Sequence, residues 1–281
     1  MTDNRARRMW KALEPFHAIT YFSPDTRQAT DALGLKGGWM SYFGCRAAPL
    51  GPVGPALVAA VFYNFHPAMV ARALPDAWSY ATPEQLLDAR LSAVDSAVRR
   101  LFPSASFGRA AEVARRAAEL APVGGRPIAA ANAALEWPDE PHLVVWQATT
   151  ILRESRGDGH VAALVGAALS PCQACVTISA AGGPSREVFQ VNRRWSDEDW
   201  TAAEDDLRDR GLLDSAGALT EAGRALRQQV EDTTDALAEQ GWRALGDELT
   251  AELHDLVHPL SATLMSAGVI PPDNPMAMRW D

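Results

Sequence analysis

Three observations predict a mainly α-helical protein. Helix-start signals recur along the chain, as a capping residue followed by proline or acidic residues, at Ser23-Pro24-Asp25, Thr82-Pro83-Glu84-Gln85 and Ser196-Asp197-Glu198-Asp199. The apolar residues behind these signals keep three- and four-residue spacing. Strand-like stretches are few and short. At 281 residues, 47% hydrophobic and 22% charged, the chain is long enough to bury a sizeable core. With no run of eighteen apolar residues, it is not expected to span a membrane.

The elements follow in order. Ser23 caps a helix with Pro24 at its first position, running to about residue 33 before Gly34. Glycines and prolines over 35–55 predict turns or short helical pieces. Thr82 and Gln85 form a capping box, and Leu86, Leu87, Leu91, Val94 and Val98 carry that helix to about residue 101. An alanine-rich helix over 110–120 precedes a linker of Pro122, Gly124, Gly125 and Pro127, which leads into a helical stretch over 128–135. Residues 142–153 read as a helix. The run Arg156-Gly157-Asp158-Gly159 then predicts a turn before an apolar helix starting at His160. Segments 174–179 and 187–192 have strand character.

Ser196 caps a helix containing Trp200, Ala203 and Leu207. After the turn Asp214-Ser215-Ala216-Gly217, Thr220 caps a long helix through Val230 and Leu237. Leu245, Leu249, Leu253, Leu256, Leu260 and Leu264 form an amphipathic stripe that must be buried against this chain or a partner. The chain thus divides into a helical, aromatic-rich domain (1–125), a second domain (126–238) and C-terminal helices (239–281).

The net charge of −9 is unevenly distributed. From residue 196 onward 19 acidic side chains stand against 6 arginines, whereas the preceding 195 residues hold 20 basic and 16 acidic groups. A phosphate-facing surface would therefore lie in the N-terminal part, where Arg90, Arg99, Arg100, Arg109, Arg115, Arg116 and Arg126 are the candidates. Only two of the 26 basic residues are lysine, a bias better explained by a GC-rich coding sequence than by an arginine patch. Residues 1–10 carry Arg5, Arg7 and Arg8 with no apolar segment after them, so a cytoplasmic location is expected. Cys45, Cys172 and Cys175 read as core residues. The Cys172-x-x-Cys175 pair lacks a second pair, and His254 and His258 lack a third ligand, so neither a metal nor a cofactor is expected.

Twelve of the 21 aromatic residues, with every tyrosine, lie between Trp10 and Tyr80. Interleaved polar groups make a ligand pocket of His17, Tyr21, Tyr42, Arg46, Tyr63 and His66, joined by Trp146, in which hydroxyls and a cation orient the ligand. An aromatic core with its hydroxyls bonded to backbone would give the same sequence. A second group follows from helical spacing: His142, Trp146, Thr149 or Thr150, and Arg153 share a face that runs into Glu154, Arg156, Asp158 and His160. In an enzyme, His142, Glu154, Asp158 and His160 would supply acid–base chemistry, with His160 kept neutral by a helix N-terminus. Asp158 would otherwise be a helix cap.

The pattern Trp200-x6-Leu207-x2-Arg210-Gly211-Leu212-Leu213, then Leu219-Thr220-Glu221-Ala222-Gly223-Arg224, resembles the recognition helix, wing and following helix of MarR-like winged-helix proteins over roughly 161–237. The whole chain is similar to a bacterial winged-helix (helix-turn-helix) family of uncharacterised function. Tyr42-Phe43-Gly44-Cys45-Arg46-Ala47-Ala48-Pro49-Leu50-Gly51, Trp137-Pro138-Asp139-Glu140-Pro141-His142-Leu143 and Leu152-Arg153-Glu154-Ser155-Arg156-Gly157-Asp158-Gly159-His160-Val161 carry that similarity. The resemblance implies a winged-helix unit with a minor β-hairpin. The residues argue against groove binding: the matching helix has Asp197, Glu198, Asp199, Glu204, Asp205, Asp206 and Asp209 against Arg208 and Arg210. Each close like-charge pair with phosphate costs about 1 kcal/mol even in water.

The expected function is binding of a small, partly apolar metabolite in the aromatic pocket, as a regulator-like sensor or sequestering protein. A homodimer is expected, and specific DNA is not an expected partner. The alternative is an enzyme of specialised metabolism using the same pocket.

Overall fold

The computed structural model describes residues 4–271 and residue 274. Fifteen α-helices occur among them: α1 (Arg5–Phe22), α2 (Pro24–Ala32), α3 (Gly37–Ala47), α4 (Pro55–Phe62), α5 (Pro67–Ala71), α6 (Ala77–Tyr80), α7 (Pro83–Leu101), α8 (Gly108–Glu119), α9 (Pro127–Ala133), α10 (Pro141–Gly166), α11 (Pro171–Ala180), α12 (Arg186–Arg193), α13 (Asp197–Asp209), α14 (Glu221–Leu245) and α15 (Asp247–Ser266). A short 3-10 turn, Ala48–Leu50, follows α3.

The capping signals work as their chemistry requires. Thr82 accepts from the Gln85 amide while the Gln85 side chain accepts from the Thr82 amide. Ser196 and Asp199 repeat the arrangement at α13, and Ser23 caps α2 with Pro24 at the first position.

One expectation is sharpened and three need correction. Of the turns or short helical pieces expected over 35–55, residues 37–47 form one continuous helix, in which Met40, Phe43 and Ala47 bury one face and Gly44 lets that face approach Leu86. Residues 156–159 form no turn, since α10 runs unbroken through them. A Cβ on Gly159 would meet Leu237 Cβ at 3.4 Å, so this glycine serves a close crossing of α10 with α14 rather than a chain reversal. Segments 174–179 and 187–192 are helical: Ser170 with Gln173 boxes the start of α11, Ser185 caps α12, and burial of one face overrides β propensity. The hairpin is reduced to an isolated antiparallel bridge between Leu213 and Leu219, with no strand among the described residues.

Three clusters of buried side chains organise the chain. The first joins α1, α7, α8, α10, α14 and α15 through Met9, Phe16, Val94, Trp146, Trp242 and Val257. Alanines of α8 allow close packing on α10. Each large side chain removed from water contributes about 1.5–3 kcal/mol. The C-terminal stripe is satisfied here, with Leu245, Leu253 and Leu264 buried against this chain and Ser261 Oγ donating to the Ala12 carbonyl at 2.6 Å.

The second cluster centres on Phe43, Phe62, Phe65, Leu74 and Leu86. The third joins the end of α10 to α11–α14 through Leu164, Cys175, Phe189, Trp200, Leu207 and Val230. Helix α10 contributes to the first and third, so side chains along it face several elements at once. No single helix among the described residues is long and apolar enough to cross a membrane.

Candidate ligand cavity

A cavity of about 500 Å³ opens where α10 meets α1, α3, the end of α4 and α12. Tyr21 and Phe22 close it from α1. Trp39, Tyr42 and Arg46 line it from α3, Val61 through Phe65 from the α4 end, and Asn192 and Arg193 from α12. Helix α10 presents Arg153, Gly157, Asp158, His160, Val161 and Leu164, which recur at helical spacing on one face. The aromatic rings support one another: centroids lie 5.1 Å apart for Tyr21 and Tyr42, 5.7 Å for Trp39 and Tyr42, and 5.5 Å for Tyr42 and Phe65.

The polar wall is a chain of alternating charges. Arg46 donates from Nε and Nη2 to the two oxygens of Glu154, each at 2.9 Å, and from Nη1 to Tyr42 Oη at 3.0 Å. Its guanidinium lies 4.0 Å from the Phe62 ring centre. Arg153 donates to Glu154 Oε2 at 2.8 Å and reaches Glu14 at 3.4 Å. Burial alone would raise the Glu154 carboxyl, but Arg153 and then Arg46 outweigh it and hold the group well below the usual carboxylate range.

Two histidines are fixed in tautomer by threonines. Thr150 gives its hydroxyl proton to the Trp146 carbonyl, so it accepts from His17 Nδ1–H at 3.0 Å, and His17 Nε2 accepts from Tyr21 Oη–H at 3.2 Å. Thr234 donates to the Val230 carbonyl and therefore accepts from His160 Nδ1–H at 2.9 Å, which leaves Nε2 as an acceptor. Burial first, then Arg227, pushes His160 down to about 4. The helix-end argument for His160 therefore fails, since it sits inside α10, yet desolvation keeps the ring neutral all the same.

Asp158 is a cap, though of a different helix from the one expected. Its Oδ2 accepts from the Ile128 and Ala129 amides at 2.9 and 3.0 Å, at the start of α9. Burial raises it to about 6.

Of the residues singled out from sequence, Tyr21, Tyr42, Arg46, Tyr63, Asp158 and His160 line the cavity, with Glu154 behind Arg46 and His17 behind Tyr21. Tyr63 donates to the Leu169 carbonyl at 2.6 Å. Three lie elsewhere. His66 caps α5 by accepting from the Ala68 amide and packs on Trp195. His142 bonds Asp95 at 2.7 Å beside Phe107 in the first core. Trp146 is buried and donates to the His17 carbonyl at 3.2 Å. Sequence reasoning misses Asn192 and Arg193 because residues 187–192 read as a strand, and that alternation hides a helix end pointing at a cavity.

Cys172 and Cys175 are buried, and burial pushes both thiols up to about 12, so neither is a thiolate near neutrality. Among the described residues no group of three or more His, Cys, Asp or Glu side chains gathers to hold a metal. Most of the candidate basic stretch is internally engaged: Arg99 with Asp95 and Glu140, Arg100 with Asp25, Arg109 with Glu112 and Glu252, and Arg115 with Glu119. On α13, Arg208 pairs with Glu204 and Asp205, and Arg210 with Asp206.

The geometry of His160 sets a pH dependence. Its folded pKa of about 4 lies below the ordinary 6.5, so between these values the unfolded chain binds a proton that the fold refuses. The resulting stability is full above 6.5 and is lost as pH falls towards 4. Urea midpoints should thus fall faster with acid in the parent protein than in His160→Gln. Parallel pH profiles would show that the ring is hydrated.

The fold and site define a mainly helical protein with an aromatic, arginine-lined cavity between α1, α3, α10 and α12. The chain belongs to a helix-turn-helix family, whose model matches residues 6–271. No curated protein and no solved structure matches it.

Proposed function

We propose that this helix-turn-helix family member binds a small, partly apolar metabolite in the α1–α3–α10–α12 cavity, as a regulator-like sensor or a sequestering protein. The observation that carries the reading is the cavity itself. Rigid aromatic walls line a half-open cleft of about 500 Å³, within the range of small-molecule sites. In this reading α11 to α14 form a MarR-like winged-helix unit, with α13 in the recognition position and the wing reduced to the Leu213–Leu219 bridge. Family membership points to a DNA-binding type of fold, but the acidic face of α13 opposes duplex phosphate, and specific DNA binding is not part of the proposal. A homodimer in a bacterial cytoplasm completes it.

The test is a thermal-shift screen against aromatic metabolites, both neutral and charged. A ligand at a hundred times its dissociation constant stabilises by about 2.7 kcal/mol, a rise of several degrees, and Trp39→Ala should shrink the shift. Unchanged melting with every class would sink the proposal.

One observation favours a second reading, an enzyme using the same cavity: His160 Nε2 is a neutral acceptor on a cavity-lining residue. Turnover of a bound ligand would then be lost in His160→Gln and retained in His142→Gln, because His142 lies outside the cavity.

A further inference from the structure

Aromatic walls account for an apolar ligand, but not for arginines from three helices meeting at one cavity. Arg46 from α3, Arg153 from α10 and Arg193 from α12 all line it. Arg193 lies 4.3 Å from the Phe65 ring centre and donates to the Asn192 carbonyl, and Arg46 and Arg153 both bear on it as like charges. Behind the wall two more guanidiniums are buried against neutral acceptors. Arg90 bonds the Cys45 carbonyl and Asn132 Oδ1, and Arg126 bonds Ser155 and the Leu237 carbonyl.

The carboxylates that meet this group among the described residues are Glu14, Glu154 and Asp158. Arg46, Arg90, Arg126 and Arg153 already outnumber them before Arg193 is counted. A guanidinium does not shed its proton when buried, so excess positive charge in a poorly solvated wall is relieved by bringing in an anion.

Resting on the cavity reading above, we propose that the ligand is an aromatic acid. Its flat body lies among Trp39, Tyr42 and Phe65, and its carboxylate accepts hydrogen bonds from the guanidiniums of Arg153 and Arg193. A carboxylate matches the planar fork of arginine, which a hydroxyl or amide does not. Arg46, already committed to Glu154 and Tyr42, holds the wall in place.

The experiment titrates 2-naphthoate and its neutral counterpart 2-naphthamide into the parent protein at neutral pH, followed by tryptophan fluorescence and calorimetry. Naphthoate should bind about tenfold tighter or more, and Arg193→Gln should shrink the ratio of the two affinities towards one. Equal affinities, or tighter naphthamide, would overturn anion recognition and leave the cavity reading standing. Binding of neither would overturn the aromatic-acid assignment, and the broader reading would then rest on the screen alone. The comparison within the parent protein needs no variant to fold.

Discussion

Glu154→Gln is expected to destabilise the protein by about 3–5 kcal/mol, the usual consequence of stranding a buried charge by removing its partner. Glu154 is 2% exposed at its side chain and takes three hydrogen bonds, two from Arg46 and one from Arg153. Glutamine fills the space but supplies no charge, and its NH2 group would face a guanidinium. Replacing Arg46 by Met and Glu154 by Leu together should recover part of the loss, because exchanging a buried pair for apolar groups is often neutral, while Arg153 keeps Glu14 as its remaining carboxylate.

The pH dependence distinguishes charge from shape. With its folded pKa depressed below the ordinary 4.5, Glu154 contributes stability that is present above that value and is lost as pH falls. The gap between parent and Glu154→Gln should therefore narrow in acid. Urea midpoints near neutrality and in acid would check both points, and a variant within about 1 kcal/mol of the parent at neutral pH would mean that the two arginines are hydrated.

Gly223→Ala should be nearly as damaging, at about 3 kcal/mol, the upper end for forcing a methyl into a packed site. A Cβ there would collide with the Leu212 carbonyl oxygen and stand 3.1 Å from Leu219 Cδ2. The obstacle is backbone, which cannot rotate away as a side chain would. Thr220 tightens the same corner by donating to the Gly211 carbonyl at 2.7 Å while accepting from the Gly223 amide at 3.1 Å. This is the physical content of the Leu219-Thr220-x-x-Gly223-Arg224 motif: α14 starts directly against the chain that leaves α13. Gly166→Ala, where nothing lies within 4 Å of the added methyl, is the control and should be neutral or slightly stabilising. Hydrogen exchange should show the Gly223 effect concentrated at the α13–α14 junction. Equal melting temperatures for the two variants would refute the close-approach argument.

Local chemistry made much of the helical framework legible. Ser23, Thr82, Ser196 and Thr220 cap helices whose starts depend on a side chain within three residues, so their signals survive without knowledge of the fold. The concentration of aromatics in the first eighty residues likewise pointed to Tyr21, Tyr42, Arg46 and Tyr63, all of which line the cavity. The same local reasoning misled at Gly157 and Gly159, which read as a turn. A glycine needed for close helix crossing and one needed for chain reversal are identical in sequence, and only the position of Leu237 on α14 separates them.

What the sequence by itself determined is the helical class, most of the helix starts and the residue types available for a site, because capping and periodicity are set within a few positions of the chain. What only the tertiary structure decided is which polar groups meet. Arg46 lies 108 residues from Glu154, and α12 delivers Arg193 to the same wall, while His142 is drawn away to Asp95 and His66 to the α5 cap. Those pairings follow from the low-dielectric interior, where each buried charge or donor must find a partner in space, and spacing along the chain carries no record of that search.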